Sequence, residues 1–349
     1  MPRKILPVIS LSAFLLLGSA AGAAAAPEVV ASIKPVHSLV AGVMEDVGSP
    51  HLIVRGGGSP HTFSLRPSDA RALAAAQMVV WIGPGLETFL DGPLDKLADT
   101  ARVVTLAEAP GVTHLPYREG GTWEGHDHDG AEEHDHGDAH EHADDHDHAD
   151  DHDHADNHDH ADEHDDAHGH GHDGHDGEDQ HVWLDPRNAR AMVAAIAAAL
   201  QKTDPANAER YAANAAKMDQ RLAALDTELG AVLGPVADRP FVQFHDAFQY
   251  LEARYGLNAV GSVTVSPERR PGAERLSELR QKIRDSGAVC IFTEPQFPPD
   301  LVDVVIEGSA VRTDTLDPLG AEIADGPDLY ETLMRGNAEA LRRCLSPGS

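Results

Sequence analysis

The sequence predicts an α/β protein made of two strand–helix units, one on either side of a long helix. Three observations predict it. Short apolar runs alternate with helix-periodic segments over residues 29–106, and the alternation returns over 241–345. Between the two units, residues 206–233 form one uninterrupted amphipathic stretch. Repeated strand–helix alternation argues for a mostly parallel sheet flanked by helices, because parallel neighbours need a crossover and the crossover is usually helical.

In the first unit, residues 29–33 are a β-branched run, followed by Pro35 and a periodic segment over 36–47. A second apolar run over 52–54 stops at Gly56, Gly57 and Gly58. Residues 68–76 read as a helix with Ser68 as its N-cap. A strand over 78–82 is broken by Gly83, Pro84 and Gly85; a helix over 86–98 and a strand over 102–106 follow. Pro186 sits where an Ala-rich helix starts, and Asp204 and Pro205 open the long one. There Tyr211, Ala215, Met218, Leu222, Leu225 and Leu229 recur at spacings of three, four and seven. That stripe defines a helix of about 28 residues, about 40 Å long. The second unit is expected to place strands at 241–244, 259–265 and 288–292. Its helices are expected at 247–255, 274–285, 301–307 and 328–345.

The chain begins with Arg3 and Lys4, an apolar run over 5–21 and four alanines at 23–26. That order reads as a cleaved secretory signal over 1–26, and so as a periplasmic protein. The run is interrupted by Pro7, Ser10 and Ser12 and is short for a membrane span. No cysteine lies near the cleavage point to carry a lipid. Cys290 and Cys344 are the only two cysteines, and in an exported chain two thiols usually pair. A disulfide closing that loop is worth about 4 kcal/mol in the chain-entropy model. The expected organisation is a first lobe over 27–205, a linking helix over 206–234 and a second lobe over 235–349.

The formal net charge is −31, but 23 acidic side chains and no Lys or Arg fall within residues 126–180. The rest of the chain is mildly acidic and shows no clustered basic surface for nucleic acid. Residues 126–180 hold no apolar side chain larger than Ala, so they cannot build a core and are expected to form a mobile loop. A six-residue repeat runs through 146–163, and 17 of the 23 histidines lie in this segment. His-x-His spacing beside many carboxylates offers weak, exchangeable Zn²⁺ sites, suited to collecting or buffering metal.

Outside it lie His37, His51, His61, His114, His181 and His245. His61, His181 and His245 stand where a strand or loop meets a helix, and in open α/β folds ligands bind beyond the carboxyl ends of strands. Three imidazoles suit Zn²⁺ and suit Mn²⁺ or Ca²⁺ poorly. Spacing alone is equally compatible with three ordinary half-buried histidines.

The segments around these histidines carry more. They are Gly-Ser-Pro-His61 with Ser-Leu-Arg-Pro-Ser-Asp69, Val-Val-Trp-Ile-Gly-Pro84, His181-Val-Trp-Leu-Asp-Pro186, Phe-His245-Asp-Ala-Phe, Thr-Glu-Pro-Gln-Phe297 and Thr-Leu-Asp-Pro-Leu-Gly320. In this order, with a His/Asp-rich insertion before the second histidine, they resemble the zinc branch of the zinc and manganese solute-binding proteins of ABC transporters. The resemblance covers residues 28–345. It implies two α/β lobes joined by one long helix, with a metal cleft between them. It also implies Zn²⁺ ligands at His61 and His181 from the first lobe and His245 from the second. The protein would then be a monomer that delivers Zn²⁺ to the membrane permease of an ABC importer, with a periplasmic metallochaperone as a further partner, and would not be an enzyme. Histidine at 245, where manganese carriers tend to have a carboxylate, points to zinc.

One departure matters. Some zinc members carry Glu before the first histidine, where this chain has Pro60. The fourth position is left to water, to Asp317 or to a histidine of the insertion. A zinc-dependent hydrolase is the alternative from another class, and a stand-alone periplasmic zinc buffer or chaperone is a third reading. Against the hydrolase, no HExxH helix is present, and Asp185 and Asp246 beside the ligands serve equally well to orient imidazoles. The long helix has no internal Pro or Gly before Gly230, so metal is expected to cause a small closure rather than a wide hinge.

Overall fold

A computed structural model describes residues 25–118, 123, 177–264 and 271–347. The signal expected over 1–26, apart from its last two residues, lies outside them. So do nearly all of the His/Asp-rich segment and the last residue of the strand expected over 259–265.

Two four-stranded parallel sheets make the frame. The first contains β1 (Val29–Ala31), β2 (His51–Leu52), β3 (Met78–Trp81) and β4 (Arg102–Thr105), in the order β2-β1-β3-β4. Its helices are α1 (Lys34–Val43), α2 (Pro67–Ala75) and α3 (Asp91–Leu97). Then come α4 (Pro186–Thr203) and the long α5 (Ala208–Leu233). The second sheet contains β5 (Phe241–His245), β6 (Ala259–Thr264), β7 (Cys290–Thr293) and β8 (Arg312–Thr315), in the order β6-β5-β7-β8. Helices α6 (Gln249–Tyr255), α7 (Ala273–Ser286), α8 (Asp300–Ile306) and α9 (Leu329–Leu345) accompany it. The second order repeats the first, so each sheet reverses direction between its first and third strands, which is where open α/β sheets leave a crevice.

Three expectations are corrected. Ser68 is not an N-cap: α2 begins one residue earlier, at Pro67, and the Asp69 carboxylate accepts from the backbone N–H of Arg66 at 3.3 Å. Proline fits the first helical position because its missing N–H is not needed there. The helix expected over 86–98 is a 3₁₀ turn at Thr88–Leu90 followed by α3. Pro93 has no N–H to give and would crowd the carbonyl four residues back, so one continuous helix is not available. Strand β8 was not expected at all; its sequence, Arg-Thr-Asp-Thr, carries no apolar residue because it lies at a sheet edge and is only half-buried.

Helix α5 buries Tyr211, Met218, Leu222, Leu225, Leu229 and Leu233 against α4, α1 and α9. It meets α1 closely: a Cβ on Gly42 would lie 2.3 Å from the Met218 sulfur. Asn214 sits in the same buried stripe, and its amide donates to the Val43 and Glu45 carbonyls at 3.0 and 2.8 Å. Two otherwise unpaired acceptors at the end of α1 are thereby satisfied.

Helix α9 follows the second sheet in the chain but packs on α1, α5 and β8. The Ser38 hydroxyl accepts from the Tyr330 N–H at 3.0 Å, and the Tyr330 hydroxyl donates to the Trp183 carbonyl at 2.7 Å. One apolar core therefore runs from β1 and β3 through α4 and α5 to Tyr330, Met334 and Leu341 of α9. A smaller core, with Val242, Phe244 and Ile291 against Leu279, Ile283 and Val302, lies under the other face of the second sheet. Among the described residues no helix is long and apolar enough to cross a membrane.

Cys290 opens β7 and Cys344 lies near the end of α9; they form a disulfide with Cα atoms 6.0 Å apart, and both are buried. It staples the last helix to the second sheet across a separation of 54 residues. Replacing both cysteines with Ala should lower unfolding free energy by about 2–4 kcal/mol, read by urea denaturation of the metal-free protein. An unchanged midpoint would show that packing of α9 alone holds the terminus.

Candidate metal centre

His61 lies in the loop between β2 and α2, after the buried ring of Pro60. His181 precedes a 3₁₀ turn, Val182–Leu184, whose apolar side chains are fully buried and anchor the start of α4. His245 is the last residue of β5, at the carboxyl end of a central strand. The structure brings all three together: one ring nitrogen of each lies within 4.8 Å of the others. The Nε2 atoms of His181 and His245 are 3.3 Å apart. Two nitrogens bound at about 2.0–2.1 Å to a tetrahedral Zn²⁺ stand about 3.3 Å apart. His61 is half-buried at the rim, while His181 and His245 are buried.

Two carboxylates orient the buried pair. The Nδ1 atom of His181 is 2.7 Å from Asp179 Oδ1, which also accepts from the His181 backbone N–H at 2.9 Å. The Nδ1 atom of His245 lies 2.6 and 2.7 Å from the two oxygens of Glu294, and Glu294 accepts from the His245 backbone N–H at 3.0 Å. With Nδ1–H donated in each ring, the free Nε2 lone pairs turn toward a common point.

Sequence reasoning looked for these orienting groups at Asp185 and Asp246, and the structure places them elsewhere. Asp185 caps α4, accepting from the Arg187 backbone N–H at 2.8 Å, and pairs with the Arg187 guanidinium. Asp246 pairs with Arg118, which also reaches Glu252 at 2.6 Å, and accepts from the Gln243 amide. Neither carboxylate is left free to act as a base on a bound water. Asp317 is likewise committed. Its oxygens accept from the backbone N–H groups of Leu319, Gly320 and Ala321 and from the Gln296 amide, at 2.6–2.9 Å. It holds the turn before Pro318 and is not among the clustered ligand atoms.

The insertion expected over 126–180 also gives up its last four residues to the folded part. Glu178 pairs with Pro116 in an antiparallel bridge, and Asp179 and Gln180 are buried. The Tyr250 hydroxyl donates to the Asp179 carbonyl at 2.6 Å and accepts from the Leu115 N–H at 3.0 Å. Gly85 makes room for Gln180: a Cβ there would lie 2.9 Å from that side chain. The other described histidines have other neighbours: His37 is 3.2 Å from the Pro50 carbonyl, His51 is 3.3 Å from Asp69 and His114 is 3.0 Å from Glu178.

Electrostatics divide the three imidazoles. Burial, followed by the neighbouring His181 and His245, holds His61 well below the usual histidine range, so it is neutral near pH 7. Burial also works to lower His245, but the charge and hydrogen bond of Glu294 outweigh it and the pKa is raised. That pull favours the protonated ring, so a proton competes with a cation for His245 Nε2.

Fold and cluster together define a class: two-sheet α/β solute-binding proteins with ligand groups at the carboxyl ends of strands. The chain belongs to the ZnuA family, "Zinc-uptake complex component A periplasmic", whose family model matches residues 29–344. It is 52% identical over 318 residues to the high-affinity zinc uptake system protein ZnuA of Brucella suis, covering 91% of each chain. It is 44% identical over 338 residues to the protein of that name from Paracoccus denitrificans, covering 95% of this chain and 97% of the other. Its fold matches a zinc-bound 138–173 deletion mutant of ZnuA at TM-score 0.68 and 21% identity, over 93% of this chain and 100% of that one. It also matches the Zn(II)-bound ZnuA-like domain of Streptococcus pneumoniae AdcA at TM-score 0.62 and 21% identity, over 92% and 99% of the two chains.

Replacing Glu294 with Leu removes both the acceptor and the charge that orient His245 and should weaken zinc binding about 10- to 100-fold. Glu294→Gln, which keeps an acceptor, should cost less. Because the raised pKa of His245 sets proton against metal, zinc affinity should fall as pH drops through the histidine range, and binding near neutrality should release protons. Calorimetry in buffers of different ionisation enthalpy reads that release; an affinity that did not change with pH would contradict proton competition at these rings.

Proposed function

We propose that the protein captures Zn²⁺ in the periplasm with high affinity and delivers it to the membrane permease of an ABC importer. The observation that carries this reading is the convergence of three ring nitrogens, two held by buried carboxylates, at the junction of the two sheets. The ligands are His61, His181 and His245. All three donors are nitrogen, which suits Zn²⁺ and disfavours the hard cations that bind through oxygen. Membership of the zinc-uptake family and the names of the relatives support the same substrate and route. The chain works as a carrier rather than an enzyme, and the residues 27–205 and 235–349 act as lobes joined by the helix 206–234.

The site sits between elements that are braced to one another. The Trp183 indole donates to the Pro318 carbonyl at 2.9 Å, and Lys34 donates to the Ala321 and Ile323 carbonyls at 3.2 and 2.6 Å. Metal then draws His61 inward by a short distance instead of swinging a lobe.

Replacing His61, His181 or His245 with Ala should each weaken the tightest zinc site at least 100-fold in competition with a chelator, on the order expected for losing one ligand. Full affinity in all three variants would sink the assignment. Growth of a deletion strain in chelated medium separates carrier from buffer: a carrier's loss should be rescued by added zinc. Small-angle scattering of protein lacking residues 126–176 should show only a slight contraction on adding zinc. The deletion spares 177–180 because Asp179 holds His181. A large drop in radius of gyration would favour a wide hinge.

A further inference from the structure

The first sheet leaves apolar surface open beside its edge strand β4. Val104 packs against the main core, and strand alternation turns Val103 and Thr105 to the opposite face. On that face α3 packs against α2, and a groove of about 600 Å³ remains between α3 and the strand. Trp81, Leu94 and Val103 form its floor, and the Trp81 indole donates to the Thr105 hydroxyl at 3.1 Å across the two strands. Val103 is 41% exposed, one of the few large apolar side chains left so among the described residues. Because β4 is the outermost strand, the backbone groups on its outer side have no strand to pair with among the described residues.

The rim of this groove is acidic. Asp91, Asp95, Asp99 and Glu108 line it, and no Lys or Arg does. Asp95, Asp99 and Glu108 have no ion-pair partner among the described residues. Their placement works against the local structure. Asp91, Asp95 and Asp99 recur every four residues, a spacing at which like charges repel. Asp95 lies in the last turn of α3 and Asp99 just past it, where the helix dipole disfavours anions. Carboxylates kept against such preferences, around an apolar floor, are expected where a surface serves something outside the fold.

We propose that this groove docks an extended basic segment of a partner protein. One apolar side chain of the segment sits on Val103 and Trp81, and flanking lysine or arginine side chains reach Asp95, Asp99 and Glu108. Lying beside β4, the segment adds a strand to its open edge. Charge selects this occupant over the others. The carboxylates do not converge on a single ion: among the described residues only the three-histidine cluster brings metal-ligating atoms together. A second copy of the chain would bring the same negative rim, and the segment 126–180 holds 23 acidic side chains and no Lys or Arg, so neither complements the groove. The surface is separate from the metal centre, because none of its lining residues lines the pocket in front of the imidazoles.

The test uses the full chain loaded with zinc and a labelled peptide in which lysine alternates with valine, followed by fluorescence anisotropy. The peptide should bind, and more weakly as salt rises. Asp95→Asn combined with Asp99→Asn should weaken binding about five-fold, the size of two lost surface ion pairs. Val103→Thr keeps the strand but not the apolar contact and should cost about three-fold. Zinc affinity should stay parental in these variants, and the Tm of the double variant should hold or rise, since a repulsion is relieved. Asp300→Asn with Asp303→Asn, an equal loss of charge on α8, is the control and should leave binding unchanged. A photoreactive form of the peptide should cross-link within residues 81–108. Parental binding in the groove variants, an equal loss in the α8 control, or cross-links confined to 126–180 would overturn the proposal. So would a fall in the Tm of the double variant, which would make the carboxylates structural. A dimer of the chain that Val103→Thr disperses in sedimentation would overturn it too, by placing a second copy on this face.

Discussion

The centre depends on two hydrogen bonds between a buried carboxylate and a buried imidazole, Asp179 to His181 and Glu294 to His245. Each ties down Nδ1, so each ring can only offer Nε2, and the two offered atoms meet at 3.3 Å. They also settle a charge problem. Three neutral imidazoles leave a divalent cation uncompensated, and an isolated charge in a low-dielectric site is costly. Two carboxylates directly behind the imidazoles offset such a charge and leave nitrogen as the atom each ring presents.

One of those bonds lies just before α4 and the other at the end of β5, so the fold must hold these two elements in register. Each sheet has the same strand order, which places a crevice at matching points. The bracing comes from groups that reach across: Tyr330 to Trp183 and Ser38, Trp183 to Pro318, and Tyr250 to Asp179. Helix α5 runs alongside, and α9 returns over it to share one core with the first sheet. A continuous core of this kind resists graded deformation, which keeps the spacings of the clustered nitrogens fixed.

A second buried ionic group fixes the approach to the insertion. Arg118 lies between Asp246 and Glu252, and burial raises the pKa of both carboxylates against the pull of that guanidinium. Ion groups of this kind add little net stability when intact but cost about 3–5 kcal/mol when one partner is removed. Here the triad ties Arg118, at the edge of the insertion, to the residue after His245 and to α6. Arg118 on one side of the undescribed segment, and Glu178 and Asp179 on the other, are thus held beside His181 and His245.

Much of this was legible in the sequence by itself. Strand–helix alternation and the stripe from Tyr211 to Leu229 determined the α/β architecture, because periodicity of apolar residues is a local property that burial imposes directly. The junction positions and flanking motifs of His61, His181 and His245 singled them out from 23 histidines. Composition led to the expectation that residues 126–180 build no core; 126–176 lie outside the described residues, and Asp179 and Gln180 are buried in the folded part. What the tertiary structure decided is everything that depends on which groups meet across the chain. Strand β8 has no apolar pattern and exists only because β7 and α9 provide a surface for it. Asp185 and Asp246 stand close to His181 and His245 in sequence yet turn to arginines, while Glu294, 49 residues from His245, makes the hydrogen bond. Asp317 was one of three candidates for a fourth position, and its oxygens are filled by backbone N–H groups. Residue type and local spacing say what a side chain is able to bind; only the packed fold decides which partner reaches it first, because hydrogen bonds act over about 3 Å and depend on direction.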